Sequence, residues 1–299
     1  MRVNPNIAAD VLANLWQTQQ QEQTALLQVS SGKRVNVPSD DPAAAAGLVQ
    51  NLAATSQNDQ FTQNTSVVEG QLQTADSTLS SVVSALTQAI SLGVEGANGT
   101  LSASNEQQVA AQVQGIIGQV VQLANVSYQG TFVFAGTAST APPFALDSTQ
   151  PSGVRYDGNS GINSVDVAPG RSIQVNLPGN QLFQSPGTDV FGSLQQLVTA
   201  LQGGNAATIA TATTQLRAAF DGITQQRVFY GNAINQLDSN QTFLQQEKVS
   251  LQSQQNDLVG VDLSVAATNL SQAETAQQAA LAAAAKIVPL TLLDYLPIS

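Results

Sequence analysis

The apolar positions of this chain repeat with a period of seven over long stretches. Stepping by seven from Leu216 meets Ile223, Tyr230, Leu237, Leu244, Leu251 and Leu258, all apolar. A second series four residues on reads Phe220, Arg227, Ile234, Gln241, Lys248 and Gln255, and four of these six are polar. This 4/3 spacing predicts one seam along a helix about 64 Å long at 1.5 Å per residue. The polar members argue against a simple dimeric zipper and for a helix packed in a larger bundle. The same period governs Val68, Leu72, Ala75, Leu79, Val82, Leu86 and Ala89, and again Val109, Val113, Ile116, Val120 and Leu123. Three helices of one period predict one bundle.

The helix ends are marked by their usual chemistry. Gly93, Gly96 and Gly99 are expected to break the first of these helices, and Ser104 with Gln107 to open the next as a capping box. Asp41 before Pro42 reads as N-cap and first helical residue, with Asp40 adding negative charge where the helix dipole favours it. Arg227 and Lys248 on the long seam are expected to reach the bundle surface or pair locally.

Between about Tyr128 and Phe191 the period changes to two, with β-branched and aromatic residues and with Gly and Pro at the breaks. Thr131 to Phe134, Val154 to Tyr156, Val165 to Val167 and Ile173 to Leu177 read as short strands. Asp157 to Gly161 reads as a hairpin turn rather than a calcium loop, which would need a later bidentate Glu. At the C-terminal end Leu263, Ala266, Leu270, Ala273, Ala280 and Ile287 keep heptad spacing, with Gln277 and Ala284 filling it. The N-terminal end offers Ile7, Val11 and Leu15 and then a Gln-rich stretch, with Trp16 expected to anchor packing. An Ala side chain buries little, at about 25 cal/mol per Å² of apolar surface, so these ends are expected to become stable only among copies.

Composition narrows the function classes. The chain has no Cys and no His, which removes thiolate nucleophiles, imidazole bases and the commonest ligands of zinc, copper and haem. Net charge is −11 with only 9 Lys plus Arg, so no basic stripe exists to neutralise nucleic-acid phosphates or an anionic bilayer. No apolar run reaches the ~20 residues that span a bilayer, and the N-terminus lacks the run of ~7–15 that a secretory signal needs. Catalytic, cofactor-binding and metal-binding residues are therefore expected to be absent. Adjacent Asp40 and Asp41 are read as cap residues rather than as an acid/base pair.

The residues at both ends resemble the flagellin family. Met1-Arg2-Val3-Asn4, Val29-Ser30-Ser31-Gly32-Lys33-Arg34-Val35-Asn36 and Ser39-Asp40-Asp41-Pro42-Ala43 look like its N-terminal signature. Gln272-Ala273-Glu274-Thr275-Ala276, Leu281 through Ile287 and Leu292-Leu293-Asp294-Tyr295-Leu296 look like its C-terminal one. The middle resembles the family's hook-associated members, through Gly130 to Thr137 with Pro142-Pro143-Phe144, Gln174 to Phe183, and Asp189-Val190-Phe191. Pro289 and the tail after Leu296 depart from the family pattern, and a kink near Val288 is expected.

That resemblance implies a structural component of the bacterial flagellum at the hook-filament junction, with a filament-forming flagellin as the alternative and a secreted coiled-coil adhesin as a third class. It implies hook-associated protein 1 on the hook side, flagellin on the filament side, self-association in a ring, an export chaperone, and export without a cleaved signal to the cell exterior. The expected fold is mainly α with a small β insert: an elongated helical bundle or coiled coil with paired terminal helices. Its expected division is 1–42 N-terminal assembly segment, 43–130 and 191–259 helical bundle, 131–190 β-rich insert, and 260–299 C-terminal assembly segment. The expected assembly interface is Ile7, Val11, Leu15, Leu263, Leu270, Leu281, Ile287, Leu293, Tyr295 and Leu296.

Overall fold

The computed structural model describes residues 7–287. In sequence order the elements are α1 (Ile7–Ser31), α2 (Pro42–Ala97), α3 (Ala103–Ala124), β1 (Ser127–Tyr128), β2 (Thr131–Phe132), β3 (Phe144–Leu146), β4 (Val154–Tyr156), β5 (Ser164–Ala168), β6 (Arg171–Gln174), α4 (Gly179–Phe183), α5 (Val190–Gly203), α6 (Ala206–Val259) and α7 (Leu263–Ile287). The fold is mainly α with a small β insert, as the periodicity predicts. The protein divides into an inner unit, Asn58–Gln245, and a terminal unit made of the residues up to Gln57 and those from Gln246.

In the inner unit the predicted seam is the core. Leu216, Ile223, Tyr230, Leu237 and Leu244 of α6 are all buried, as are Leu72, Leu79 and Leu86 of α2. The companion series differs from expectation. Buried positions lie three residues after the first series, at Ala219, Ala233 and Asn240, while Phe220, Arg227, Ile234 and Gln241 are only half-buried. Small residues at the inner line let α6 approach its neighbours closely, and larger side chains flank that line. Half-buried Arg227 forms a bidentate pair across the bundle with Asp76 of α2, at 2.9 and 3.1 Å.

Two predicted breaks are packing sites instead. Gly93 and Gly96 lie inside α2. A Cβ on Gly96 would fall 2.5 Å from Leu201 Cδ2 of α5, and one on Gly93 would collide with Thr213 Oγ1 of α6 and fall 3.2 Å from Leu197 Cδ1 of α5. The helix keeps these glycines, at roughly 1 kcal/mol each against Ala, because α5 and α6 occupy the space. Only Gly99, at φ +66°, sits in the turn itself. The next helix is capped two residues earlier than expected, by Ser102, whose hydroxyl accepts from the Asn105 N–H.

The β insert is three separate antiparallel hairpins, β1-β2, β3-β4 and β5-β6. β3 and β4 pair with Phe144 opposite Tyr156, and β5 and β6 with Val165 opposite Ile173. Two predicted strands are shorter than their pattern. Val133 and Phe134 follow β2, and Val175 to Leu177 follow β6, as buried segments outside the ladders, because aromatic and helical packing covers them instead. Asp157 to Gly161 is not a hairpin turn, since β4 pairs backwards with β3 and β5 forwards with β6. It is a link organised by Asn159, whose Oδ1 accepts from the N–H groups of Thr137 and Gly161 at 2.8 and 3.0 Å.

The insert closes over an aromatic cluster. Phe183 of α4 has ring centroids of Phe134, Phe144 and Phe191 at 5.5, 5.3 and 5.8 Å, and Tyr156 stands 5.0 Å from Phe144. The Tyr156 hydroxyl lies 3.0 Å from the Phe134 carbonyl and accepts from the Gly179 N–H at 3.2 Å. Gly179 is required there, because a Cβ would lie 2.7 Å from the Phe134 carbonyl oxygen and from the Phe144 ring.

The seam also holds polar groups. Tyr230 is fully buried, its hydroxyl makes no well-formed hydrogen bond, and burial pushes its pKa up. Leaving a buried hydroxyl poorly paired costs on the order of 1–3 kcal/mol. The Tyr230→Phe variant is therefore expected to be more stable than the parent by about 1 kcal/mol in urea denaturation, with an unchanged denaturant slope.

Candidate assembly surface

The terminal unit is built from α1 and α7 and the adjoining ends of α2 and α6. Along α1 the residues turned inward are Val11, Leu15, Thr18, Glu22, Ala25 and Val29, all buried or half-buried and stepping 4/3. Along α7 they are Ala266, Leu270, Ala273, Gln277, Ala280 and Ala284. Only Ala25, Ala266 and Ala273 of these are fully buried, so the pair has little apolar core of its own. Between the helices an open groove of about 570 Å³ is lined by Gln17, Gln20, Gln21, Gln28, Asn269 and Gln272 among others.

The corner from which both helices depart is tied by a small set of polar contacts. Arg34 donates from Nη1 to Asp41 Oδ2 at 3.0 Å and from Nη2 to the Leu258 carbonyl at 2.9 Å, and its backbone N–H donates to the Val259 carbonyl at 2.7 Å. The Val261 N–H returns a bond to the Gly32 carbonyl at 3.2 Å. Beneath them Val35, Ala44 and Val259 are buried against Leu48 and Leu258. Asp41 caps α2 by accepting from the Ala44 N–H, Asp40 accepts from Asn36 and Val37, and Asp262 caps α7 by accepting from Ser264 and Val265.

Those hydrogen bonds to backbone N–H groups hold the carboxyls of Asp40, Asp41 and Asp262 below their ordinary value of 3.8, with the Arg34 side chain adding to the effect at Asp41. A lowered carboxyl contributes stability that is fully present above the unfolded-state value and is lost as pH falls through the folded one. The corner is therefore expected to hold unchanged across neutral pH and to loosen below about 3.8. The backbone amide resonances of Asn36, Val37, Ala44 and Ser264 should then move together towards their unfolded positions.

The expected interface residues fall into three groups. Val11, Leu15 and Leu270 are half-buried in the α1-α7 seam. Leu263 and Leu281 are 58% and 50% exposed, about five turns apart on one edge of α7. The side chains of Ile7 and Ile287, and all of Leu293, Tyr295 and Leu296 with Pro289, lie outside the described residues.

Sequence reasoning missed a larger feature on α1. Leu12, Trp16, Leu26 and Leu27 are all more than half exposed, and Trp16, expected as a packing anchor, reaches 66%. At 3.6 residues per turn they share one stripe, turned about a third of a revolution from the inward face. The available signal was that these four fall out of phase with the 4/3 seam.

In this geometry the carboxylates of the corner hold backbone N–H groups. Asp41 is occupied as a cap, Asp40 differs from the expected cap role by closing the loop before it through the Asn36 and Val37 N–H groups, and among the described residues no group of three or more His, Cys, Asp or Glu could hold a metal. What it offers is two helices with sparse mutual burial and apolar residues facing outward.

Residues 3–139 match the bacterial flagellin N-terminal helical region, and residues 213–296 match the bacterial flagellin C-terminal helical region. The chain belongs to the flagellin family. It is thus a structural component of the bacterial flagellum. Among curated relatives it is 28% identical over 276 residues to flagellar hook-associated protein 3 of Escherichia coli K12, covering 84% of this chain and 86% of that protein. It is 25% identical over 281 residues to a flagellin of Listeria innocua, covering 91% and 90%. The solved flagellar junction protein FlgL from Legionella pneumophila has the same fold, with a TM-score of 0.60 at 14% identity over 72% of this chain and all of that one. The flagellin resemblance read from the two ends is borne out.

Proposed function

We propose that the protein is the adaptor at the hook-filament junction on which flagellin assembles. The observation that carries this reading is the similarity to flagellar hook-associated protein 3, 28% identical over 276 residues against 25% over 281 for the Listeria flagellin. Both alignments run through the middle, which the two terminal family regions leave out. That middle holds the motif residues Phe144, Phe183 and Phe191, whose aromatic rings close the insert together with Phe134. In this reading 1–42 and 260–299 form the assembly segments, joined to a helical bundle over 43–130 and 191–259 that carries the insert at 131–190. The outward apolar residues of α1 and α7 meet further copies of the protein in a ring. Hook-associated protein 1 takes the hook side, flagellin takes the filament side, and an export chaperone serves its passage to the cell exterior. The role is mechanical rather than enzymatic.

A filament-forming flagellin is the second reading, supported by the Listeria relative. Deleting the gene separates the two. Hooks that persist without filaments, with a different flagellin leaking into the medium as monomer, are the expected result. Loss of filaments with no flagellin in the medium would make this protein the filament subunit, and intact filaments would overturn both readings.

A further inference from the structure

The turn between α2 and α3 holds the one Asn-Gly pair in the sequence, Asn98-Gly99. We propose that Asn98 is the protein's site of spontaneous deamidation, converting this turn to aspartate and isoaspartate. In that reaction the backbone nitrogen of the following residue attacks Cγ, the carbonyl carbon of the Asn amide. A new bond forms between that nitrogen and Cγ, and the bond from Cγ to Nδ2 breaks. The amide nitrogen leaves as ammonia with the proton given up by the backbone nitrogen. Water then opens the cyclic imide at either carbonyl, leaving a carboxylate on a normal or a lengthened backbone.

Three features of Asn98 meet those requirements together. It lies just beyond the last helical residue, Ala97, and is exposed. Its own N–H is used, donating to the Glu95 carbonyl at 3.3 Å, but the Gly99 N–H, the attacking group, donates to no backbone acceptor among the described residues of the turn. Gly99 has φ +66° and open space where a Cβ would stand, so nothing obstructs ring closure.

The comparable sites lack these features. Asn159 precedes Ser160, but its Oδ1 accepts from Thr137 and Gly161 and its Nδ2 donates to Thr137 Oγ1 at 2.8 Å. Asp157 precedes Gly158 and could form the same ring, but Arg155 holds both its carboxylate oxygens at 2.7 and 3.0 Å. Asn58 and Asn240 are buried within α2 and α6, where a helical backbone keeps the attacking nitrogen in its own hydrogen bond. A carboxylate at Asn98 would stand three residues after Glu95 at the negative end of the α2 dipole. The isoaspartyl product would also lengthen the backbone inside a turn that joins two core helices.

The test is incubation of the purified full-length protein at mildly alkaline pH, with peptide mapping for a gain of one mass unit and for isoaspartate. The expected result is an acidic form whose modification maps to Asn98 before any other residue. Gly99→Ala should slow its appearance about tenfold, since a Cβ crowds both the approach and the left-handed turn. Should that variant disturb the turn, Asn98→Gln provides the second arm: its longer side chain disfavours the ring, so the acidic form should be lost while the fold is kept. Modification arising first at Asn159, Asn163 or Asp157 would overturn the proposal. So would an Asn98 that stays an amide in the folded protein while reacting in denaturant.

Discussion

Truncating Phe183 to Ala should cost about 3–5 kcal/mol of the inner unit's stability, the range for a buried aromatic whose cavity cannot collapse. Its ring is fully buried and stands within 5.8 Å of three others, contributed by the segment after β2, by β3 and by α5. The segments that carry those rings have backbone tethers of their own. Asn125 donates to the Phe144 carbonyl at 2.7 Å, and Asp189 holds the start of α5 by accepting from the Gly192 N–H at 2.9 Å. The surroundings are therefore pinned and cannot fill the gap. A urea titration of the purified protein should show a large drop in midpoint with an unchanged slope. A loss below about 1 kcal/mol would mean that the three hairpins are held by something other than this cluster.

The cluster shows what sequence patterns can and cannot reveal. That Phe134, Phe144, Phe183 and Phe191 belong to motifs was legible, but that one side chain sits among the other three depends on non-local packing. The first heptad series was legible because a run of large apolar residues at that spacing leaves one orientation for α6. Its companion was misplaced by one residue, because Phe220 and Ile234 outweigh Ala219 and Ala233 in any hydrophobic count although the alanines occupy the inner line. Gly93 and Gly96 looked like breaks for a related reason. A glycine that admits a neighbouring helix and one that ends its own helix are the same letter, and the Leu197 and Leu201 side chains of α5 with Thr213 of α6 distinguish them.

The terminal unit was legible in outline and not in its fastenings. Caps at Asp41 and the 4/3 spacing of α7 follow from local rules. The bonds from Arg34 to Leu258 and Val259 join the two ends of the sequence, 224 residues apart in the case of Leu258, and no periodicity reports them. The outward stripe was hidden by the inward one. With Val11 and Leu15 assigned to a seam, Trp16 beside them read as a packing anchor, although a helix turns each residue about 100° from the last.

Replacing Leu12, Trp16 and Leu27 together by Gln is expected to leave the monomer's unfolding midpoint nearly unchanged, because exposed positions away from packing contribute within about 0.5 kcal/mol each. The same variant should fail to support filaments in cells. Trp16 is 66% exposed, and completing its burial between copies is worth roughly 2.5–4 kcal/mol at 25 cal/mol per Å². That gain recurs in every subunit of a ring, so its loss should be felt many times over in one assembly. The sequence has one Trp, so its fluorescence reports this surface alone. The parent protein should show a solvent-exposed emission as a monomer and a shift to shorter wavelength on assembly. Filaments that grow normally on the triple variant, or a Trp16 emission that does not move on assembly, would take this face of α1 out of the interface. The contact would then have to come from the edge of α7 that carries Leu263 and Leu281, which changing those two residues to Gln would test by the same cell assay.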